Sequence, residues 1–175
     1  PHMRSLQWLT QRLPEAGLAA QIDGIGNVLG TSTKPGPKLL AGSHLESQNY
    51  AGWLDGPLGV VYALEAARVI NPDPDIRGAV EVASWCDEEG HFGSFLGSRS
   101  YVGDVSEADI HAARDRNSER SLRDVLREVG LDGRVAERCL VACLASCSGR
   151  PKQGGFKAGH TFESRISPRL FVRQH

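Results

Sequence analysis

Apolar runs of two kinds alternate along this chain, and their order limits the folds open to it. The run Ala79–Trp85 is rich in residue types that favour a buried strand. Residues 56–70 carry apolar side chains spaced by three and four, which is typical of a buried helix, and Asn71-Pro72 ends that pattern. Because strands that alternate with helices form a sheet covered by helices, the sequence predicts an α/β domain with a mostly parallel sheet and helices on both faces.

The remaining segments add further strands and helices to this pattern. The predicted elements are an amphipathic helix at residues 5–13, two strands within residues 20–29 and 38–41 with turn residues at 31–37 between them, and a capped helix from Ser121 to Arg127 that stops at Gly130. At 175 residues, the chain is long enough to bury the core of one ordinary domain.

The charge balance and the apolar stretches indicate which partners to expect. The chain has 20 lysine and arginine residues against 21 aspartate and glutamate residues, so no broad basic surface is expected for nucleic acid or an anionic membrane. The longest apolar stretches, residues 60–64 and 140–145, fall far short of the roughly 20 residues that span a bilayer. We therefore expect a small-molecule substrate or a protein partner, no nucleic acid and no membrane.

The four cysteines bear on the cellular compartment. Cys86 is isolated, and Cys139, Cys143 and Cys147 lack the paired spacing of a secreted disulfide framework. With no secretory signal at the start of the sequence, we expect reduced thiols and a cytoplasmic protein. The spacing of four places three sulfurs on one helical face, where they suit a packed stripe or, as the alternative, a soft metal.

A histidine and an aspartate lie in glycine-containing motifs beside predicted elements. His44 follows the strand at residues 38–41, and Glu46 lies two residues on, as a carboxylate that could fix the tautomer of a metal-bound imidazole. The alternative is a hydrogen-bonded structural histidine. Asp55 lies between glycines before the predicted helix, where the backbone can approach a ligand closely, but it equally suits the N-cap of that helix.

Three consecutive carboxylates, at residues 87–89, follow the strand Ala79–Trp85. Like charges at the end of a strand repel unless cations offset them or one group stays protonated, which indicates metal binding or acid–base catalysis. A solvated acidic turn is the alternative. Together with His44 and Asp55, the pair Glu88-Glu89 suits two divalent ions and leaves one glutamate for proton transfer.

Three motifs, taken in order and spacing, are similar to those of a known family. They are Gly-Ser-His-Leu-Glu-Ser at 42–47, Gly-Trp-Leu-Asp-Gly-Pro-Leu-Gly-Val at 52–60, and Asp-Glu-Glu-Gly at 87–90 followed by Phe-Leu-Gly-Ser-Arg at 95–99. They resemble the zinc-dependent aminoacylase/carboxypeptidase metallopeptidase family over about residues 5–130. The last motif points to its branch of N-carbamoyl-L-amino-acid hydrolases and allantoate amidohydrolases.

This resemblance implies a three-layer αβα fold of the phosphorylase/hydrolase-like type and a hydrolase of linear amides with two divalent metal ions. Zinc is the first expectation for the metal, with manganese, cobalt or nickel as alternatives. By resemblance, His44 binds one metal, Asp55 bridges the two, and Glu89 binds the other. Glu88 is then the general base, which takes a proton from water and returns it to the leaving nitrogen.

The chain also departs from the family pattern. Glu46 stands where the family has aspartate, and Arg150 stands where the branch has a later histidine ligand, so a fixed cation replaces a metal-binding group. His160 and His175 are weak substitutes for the remaining ligands. We therefore expect an incomplete catalytic domain.

The expected organisation has two parts. Residues 1–135 are predicted to be the amino-terminal part of the catalytic domain, and residues 136–175 a divergent or poorly ordered tail, with the lid and dimerisation domain absent. The alternative function is a non-catalytic remnant that acts through protein association, because a partial sheet exposes apolar edges that favour a partner. A homo-oligomer is an option under either hypothesis.

Overall fold

Four strands and five α-helices make up residues 2–139, which are the residues that the computed structural model describes. In chain order they are α1 (His2–Arg12), a 3-10 helix (Leu13–Ala16), β1 (Ala19–Ile22), β2 (Val28–Thr31), β3 (Lys38–His44), α2 (Pro57–Ile70), β4 (Ala79–Trp85), α3 (Leu96–Tyr101), α4 (Glu107–Ala112) and α5 (Leu122–Glu128). The helices predicted near residues 5–13, 56–70 and 121–127 are confirmed, and α3 and α4 are additions to the predicted set. The cap predicted for the third of them is wrong, because the Ser121 side chain makes no cap hydrogen bond at the start of α5.

The strands form one mixed sheet in the order β1-β2-β4-β3. The strands β3 and β4 are parallel, because α2 carries the chain back across the sheet between them, and their pairing runs from Lys38 opposite Ala79 to His44 opposite Trp85. The pairings of β1 with β2 and of β2 with β4 are antiparallel. The mostly parallel sheet expected from the sequence is therefore wrong for residues 2–139, where one pairing of three is parallel.

The predicted strand within residues 20–29 is two strands joined by a tight turn. Asp23 builds this turn, because its Oδ1 accepts hydrogen bonds from the backbone N–H groups of Ile25, Gly26 and Asn27. The Asn27 side chain then ties the turn to the segment after β4, since its Oδ1 accepts from the Cys86 N–H. A short turn permits only antiparallel pairing, which explains the mixed character of the sheet.

Two buried clusters stabilise these elements. The larger joins α1, the 3-10 helix and α2 to the sheet through Leu6, Leu9, Leu13, Val28, Val60, Leu64, Val80 and Val82, among others. The smaller holds α3 and α5 through Ile25, Leu96, Val105, Leu122, Leu126 and Leu131. Each fully buried leucine or valine contributes roughly 1.5–3 kcal/mol relative to exposure, so the larger cluster fixes α2 on β3 and β4.

Several sequence predictions fall outside the described residues. Residues 140–175 carry most of the predicted tail, two of the three clustered cysteines, and Arg150, His160 and His175. None of the helices within residues 2–139 has the length and apolar character needed to cross a bilayer.

Candidate metal centre

The parallel pair β3–β4 brings the predicted histidine and glutamates to one edge of the sheet. His44 is the last residue of β3 and lies opposite Trp85, the last residue of β4, after which the chain continues to Glu88 and Glu89. One potential ligand atom from each of His44, Glu88 and Glu89 lies within 4.8 Å of the others. An imidazole nitrogen and two carboxylate oxygens at such spacing can hold a divalent cation.

His44 is buried, with a relative exposure of 5%, and glycine provides the space for its ring. A Cβ atom on Gly56 would lie 2.4 Å from His44 Cε1, well inside van der Waals contact. Gly56 also has a φ of +81°, a conformation that other residues rarely adopt. The glycine before α2 therefore lets the helix start directly against the imidazole.

Hydrogen bonding sets the orientation of this imidazole. His44 Nδ1 lies 2.9 Å from the backbone oxygen of Glu46, so Nδ1–H is the donor there, and in the neutral imidazole Nε2 keeps its lone pair. Nε2 faces Glu88 Oε2 at 3.4 Å. Two acceptors face each other in this arrangement, and a proton or a cation between them would relieve their repulsion.

The Glu46 carboxylate was predicted to orient the His44 imidazole, but its hydrogen-bond partner is a different group. Its Oε1 lies 4.0 Å from His44 Nδ1, beyond hydrogen-bonding distance, and accepts instead from the Glu88 N–H at 2.5 Å. The side chain is one methylene longer than aspartate and reaches past the ring to the next loop. Its other oxygen, Oε2, is buried and has no hydrogen-bond partner among the described residues. A buried carboxylate oxygen without a donor is costly, which fits a site built for a cation.

Glu88 lies at the edge of the cluster, with its side chain 30% exposed. Partial burial raises the pKa of Glu88; the interaction with His44 opposes this rise, and the nearby carboxylates Glu89, Glu46 and Asp55 add to it. A carboxyl group whose pKa is raised is better suited to accept a proton and give it back.

Glu89 is held by two residues that the sequence interpretation missed. Its Oε2 accepts a hydrogen bond from Gln48 Nε2, and its backbone oxygen accepts one from Arg116 Nη1 at 3.1 Å. The sequence signal that pointed to Gln48 was its position directly after the first motif, residues 42–47. Arg116 lies in the loop between α4 and α5, where nothing in the sequence pattern connected it to Glu89.

Asp55 lies beside this cluster but outside the group of three. It is exposed, its N–H donates to the Gly52 oxygen, and a Cβ on Gly52 would lie 3.5 Å from Asp55 Cβ and 3.9 Å from Glu89 Oε1. Asp55 is not the N-cap of α2, because the cap position is Gly56 and no side chain bonds there. The structural alternative offered for this aspartate is therefore wrong.

Asp87, the first of the three consecutive carboxylates, organises the loop instead. It is buried, and its two oxygens accept hydrogen bonds from the N–H groups of His91, Phe92 and Gly93 at 2.6–2.9 Å. Its φ of +55° turns the chain sharply after β4. Because Asp87 is paired in this way, the acidic run is not simply a solvated turn, and Glu88 and Glu89 are directed to the sheet edge.

Comparison with known proteins finds relatives of this chain, although no family model matches it. The chain is 33% identical over 137 residues to an N-carbamoyl-L-amino acid amidohydrolase of Geobacillus stearothermophilus, covering 74% of this chain and 32% of the relative. It is 33% identical over 138 residues to the allantoate deiminase of Arabidopsis thaliana, covering 74% of this chain and 26% of the relative.

A solved structure has a fold similar to that of this chain. The crystal structure of an amidase of the hydantoinase/carbamoylase family from Burkholderia phymatum superposes with a TM-score of 0.74 and 46% sequence identity, covering 78% of this chain and 34% of that one. The chain thus spans about a third of the length of the proteins it matches. In sequence, this chain is a relative of N-carbamoyl-L-amino-acid amidohydrolases and allantoate deiminases, and in fold it is similar to an amidase of the hydantoinase/carbamoylase family; in each case it matches one part of the other protein.

Proposed function

We propose that this chain is part of a metal-dependent amidohydrolase that cleaves linear amides of the N-carbamoyl amino acid or allantoate type. The observation that carries the proposal is the meeting of His44, Glu88 and Glu89 within 4.8 Å at the end of two parallel strands. The names of the relatives supply the substrate class. In this proposal, residues 1–135 are the amino-terminal part of a catalytic domain of the three-layer αβα type.

The proposed centre holds two divalent ions, with zinc as the first candidate and manganese, cobalt or nickel as alternatives. His44 would bind one ion, Glu89 the other, and Asp55 would bridge them. The free lone pair on His44 Nε2 and the unpartnered Glu46 Oε2 support a cation here. Nitrogen and carboxylate ligands suit these borderline metals.

Glu88 is the proposed general base. When bound, divalent ions supply Lewis acidity and lower the pKa of a coordinated water. Glu88 takes the proton of the attacking water and returns it to the leaving nitrogen, so one carboxyl group serves both halves of the reaction. The raised pKa of Glu88, which comes from partial burial and neighbouring carboxylates, favours this return of the proton.

Calorimetric titration with zinc or manganese tests the metal site, and release of ammonia from N-carbamoyl amino acids and from allantoate tests the activity. We expect His44→Ala and Asp55→Ala to weaken binding at least tenfold, and Glu88→Gln to abolish turnover while metal still binds. His111→Ala is the matched control, because His111 is exposed and lies on α4. Absence of metal binding in the wild type, or binding unchanged in Asp55→Ala, would remove the site from consideration.

A second candidate is a non-catalytic relative that acts through protein association. The observation in its favour is a set of exposed large apolar side chains close to the site in sequence: Tyr50, Trp53, Leu54, Leu58 and Tyr62. Exposed apolar groups of this kind are typical of surfaces that contact another protein or domain. Metal binding without turnover, together with oligomers in light scattering, would favour this candidate over the enzyme.

A further inference from the structure

A continuous chain of hydrogen bonds connects Arg116 to Glu89. Arg116 Nη2 donates to Gln48 Oε1 at 2.7 Å, and Gln48 Nε2 in turn donates to Glu89 Oε2. Arg116 Nη1 also donates to the backbone oxygen of Glu89 at 3.1 Å. Glu89 is therefore held both at its backbone and at one of its two carboxylate oxygens.

Arg116 and Glu89 favour the same orientation of the Gln48 amide. A guanidinium has only donors, so it can accept no hydrogen bond from the Gln48 NH₂ group and fixes the amide oxygen toward itself. The NH₂ group must then face Glu89. Without Arg116, the amide oxygen would lose its donor, and the hydrogen bond to Glu89 alone would hold the Gln48 side chain in place.

Arg116 is also available for this task because its charge is not used elsewhere among residues 2–139. No carboxylate forms an ion pair with it, in contrast to Arg120, which pairs with Glu128, and Arg123, which pairs with Glu107. Its guanidinium donates to two neutral oxygens, the backbone oxygen of Glu89 and Gln48 Oε1. The exposed Arg116 side chain therefore positions Gln48 and Glu89 instead of forming a surface salt bridge among residues 2–139.

These contacts make the two carboxylate oxygens of Glu89 different from each other. Its Oε2 is occupied by Gln48, whereas no described residue donates a hydrogen bond to Oε1, which lies on the side of Gly52 and Asp55. We propose that Gln48 and Arg116 are positioning residues that fix the Glu89 carboxylate and leave one of its oxygens free for a divalent cation. This inference rests on the proposed metal site and adds to it the residues that orient one ligand.

The test is calorimetric titration of the full chain with manganese chloride. We expect Gln48→Met and Arg116→Met each to weaken manganese binding about tenfold, the scale found when partners of metal ligands are removed. The double variant should lose no more than the larger single loss, because both residues act through one chain of contacts. Arg116→Lys should restore only part of the affinity, since an ammonium group cannot make the forked contact.

Arg120→Met is the matched control, because Arg120 is an exposed arginine of the same loop whose side chain pairs with Glu128 and makes no hydrogen bond to Glu89 or Gln48 among residues 2–139. Its manganese affinity and the thermal midpoints of all variants should match the wild type. Wild-type affinity in both Gln48→Met and Arg116→Met, or strictly additive losses in the double variant, would overturn the inference and leave the metal site standing. Absence of manganese binding in the wild type would overturn the metal site and this inference together.

Discussion

Replacing Gly56 with alanine should damage the site through His44. The new Cβ would lie 2.4–2.5 Å from three atoms of the imidazole, so the ring or the start of α2 must move. The backbone at this residue, with φ +81° and ψ −62°, is also a conformation that alanine adopts only under strain. Strain of roughly 1–3 kcal/mol and overpacking of roughly 1–3 kcal/mol together predict a loss of about 2–6 kcal/mol in the free energy of unfolding.

Urea denaturation measures this loss, and calorimetric titration with manganese measures its effect on the site. We expect manganese affinity to fall more than tenfold, because the displaced Nε2 no longer faces Glu88. Two controls separate the backbone strain at residue 56 from the steric overlap with the His44 ring. Gly103→Ala has a similar φ, +83°, with nothing within 4 Å of the new Cβ, so it should cost only about 1–2 kcal/mol. In a His44→Ala background, Gly56→Ala should destabilise the protein less, because the imidazole that the new Cβ overlaps is absent.

The reasoning would be refuted by an equal loss of stability from Gly56→Ala in the wild-type and His44→Ala backgrounds. Unchanged manganese affinity in Gly56→Ala would refute it as well. Either result would mean that the close approach of Gly56 to the imidazole does not determine where the ring lies.

Three further predictions concern carboxylates. Asp87→Ala should lower the free energy of unfolding by about 2–4 kcal/mol, measured in urea, because it leaves three partly buried N–H donors of the loop without their acceptor. Hydrogen bonds from Ser106 lower the pKa of Asp109, so its stabilisation is present above the ordinary value of 3.8 and is lost as pH falls through the folded-state pKa; thermal midpoints of wild type and Asp109→Asn should therefore differ at pH 7 and converge in acid. Burial raises the pKa of Glu88, so its charge opposes folding at neutral pH; metal-free Glu88→Gln should unfold at higher urea than the wild type at pH 7, with the difference vanishing below the ordinary value of 4.5.

The sequence was informative wherever local periodicity and strand direction determine position. The spacing of apolar residues predicted α2, and a helix that connects two strands makes those strands parallel. Neighbouring parallel strands end at the same sheet edge, so His44 and Glu88 come close because β3 and β4 also pair with each other. Periodicity does not find the hairpin of β1 and β2, whose signal is instead the turn residues Asp23-Gly24-Ile25-Gly26-Asn27, where the Asp23 side chain makes the turn.

The contacts around Glu89 and Glu46 show a different limit. Gln48 and Arg116 are separated by 68 residues, and their contact depends on the path of the loop between α4 and α5, which periodicity does not describe. For Glu46, the residue type was read correctly as a carboxylate near the histidine. Its extra methylene, however, carries the charge to the Glu88 N–H, and the Glu46 carbonyl takes the place expected for the side chain.

The glycines of the first two motifs are required by the packing of the protein and do not themselves take part in any chemistry. A Cβ on Gly42 would lie 1.8 Å from the Ala83 oxygen of β4, and one on Gly59 would lie 2.7 Å from Ser43 Cβ. Together with Gly56 against His44, these positions let the start of α2 and strand β4 approach the end of β3. The sequence interpretation assigned the glycines beside Asp55 to close approach of a ligand, but a Cβ on Gly56 would meet His44 of the protein itself. The glycines therefore account for the fold, and any chemistry rests on the histidine and carboxylates that the packing holds at the sheet edge.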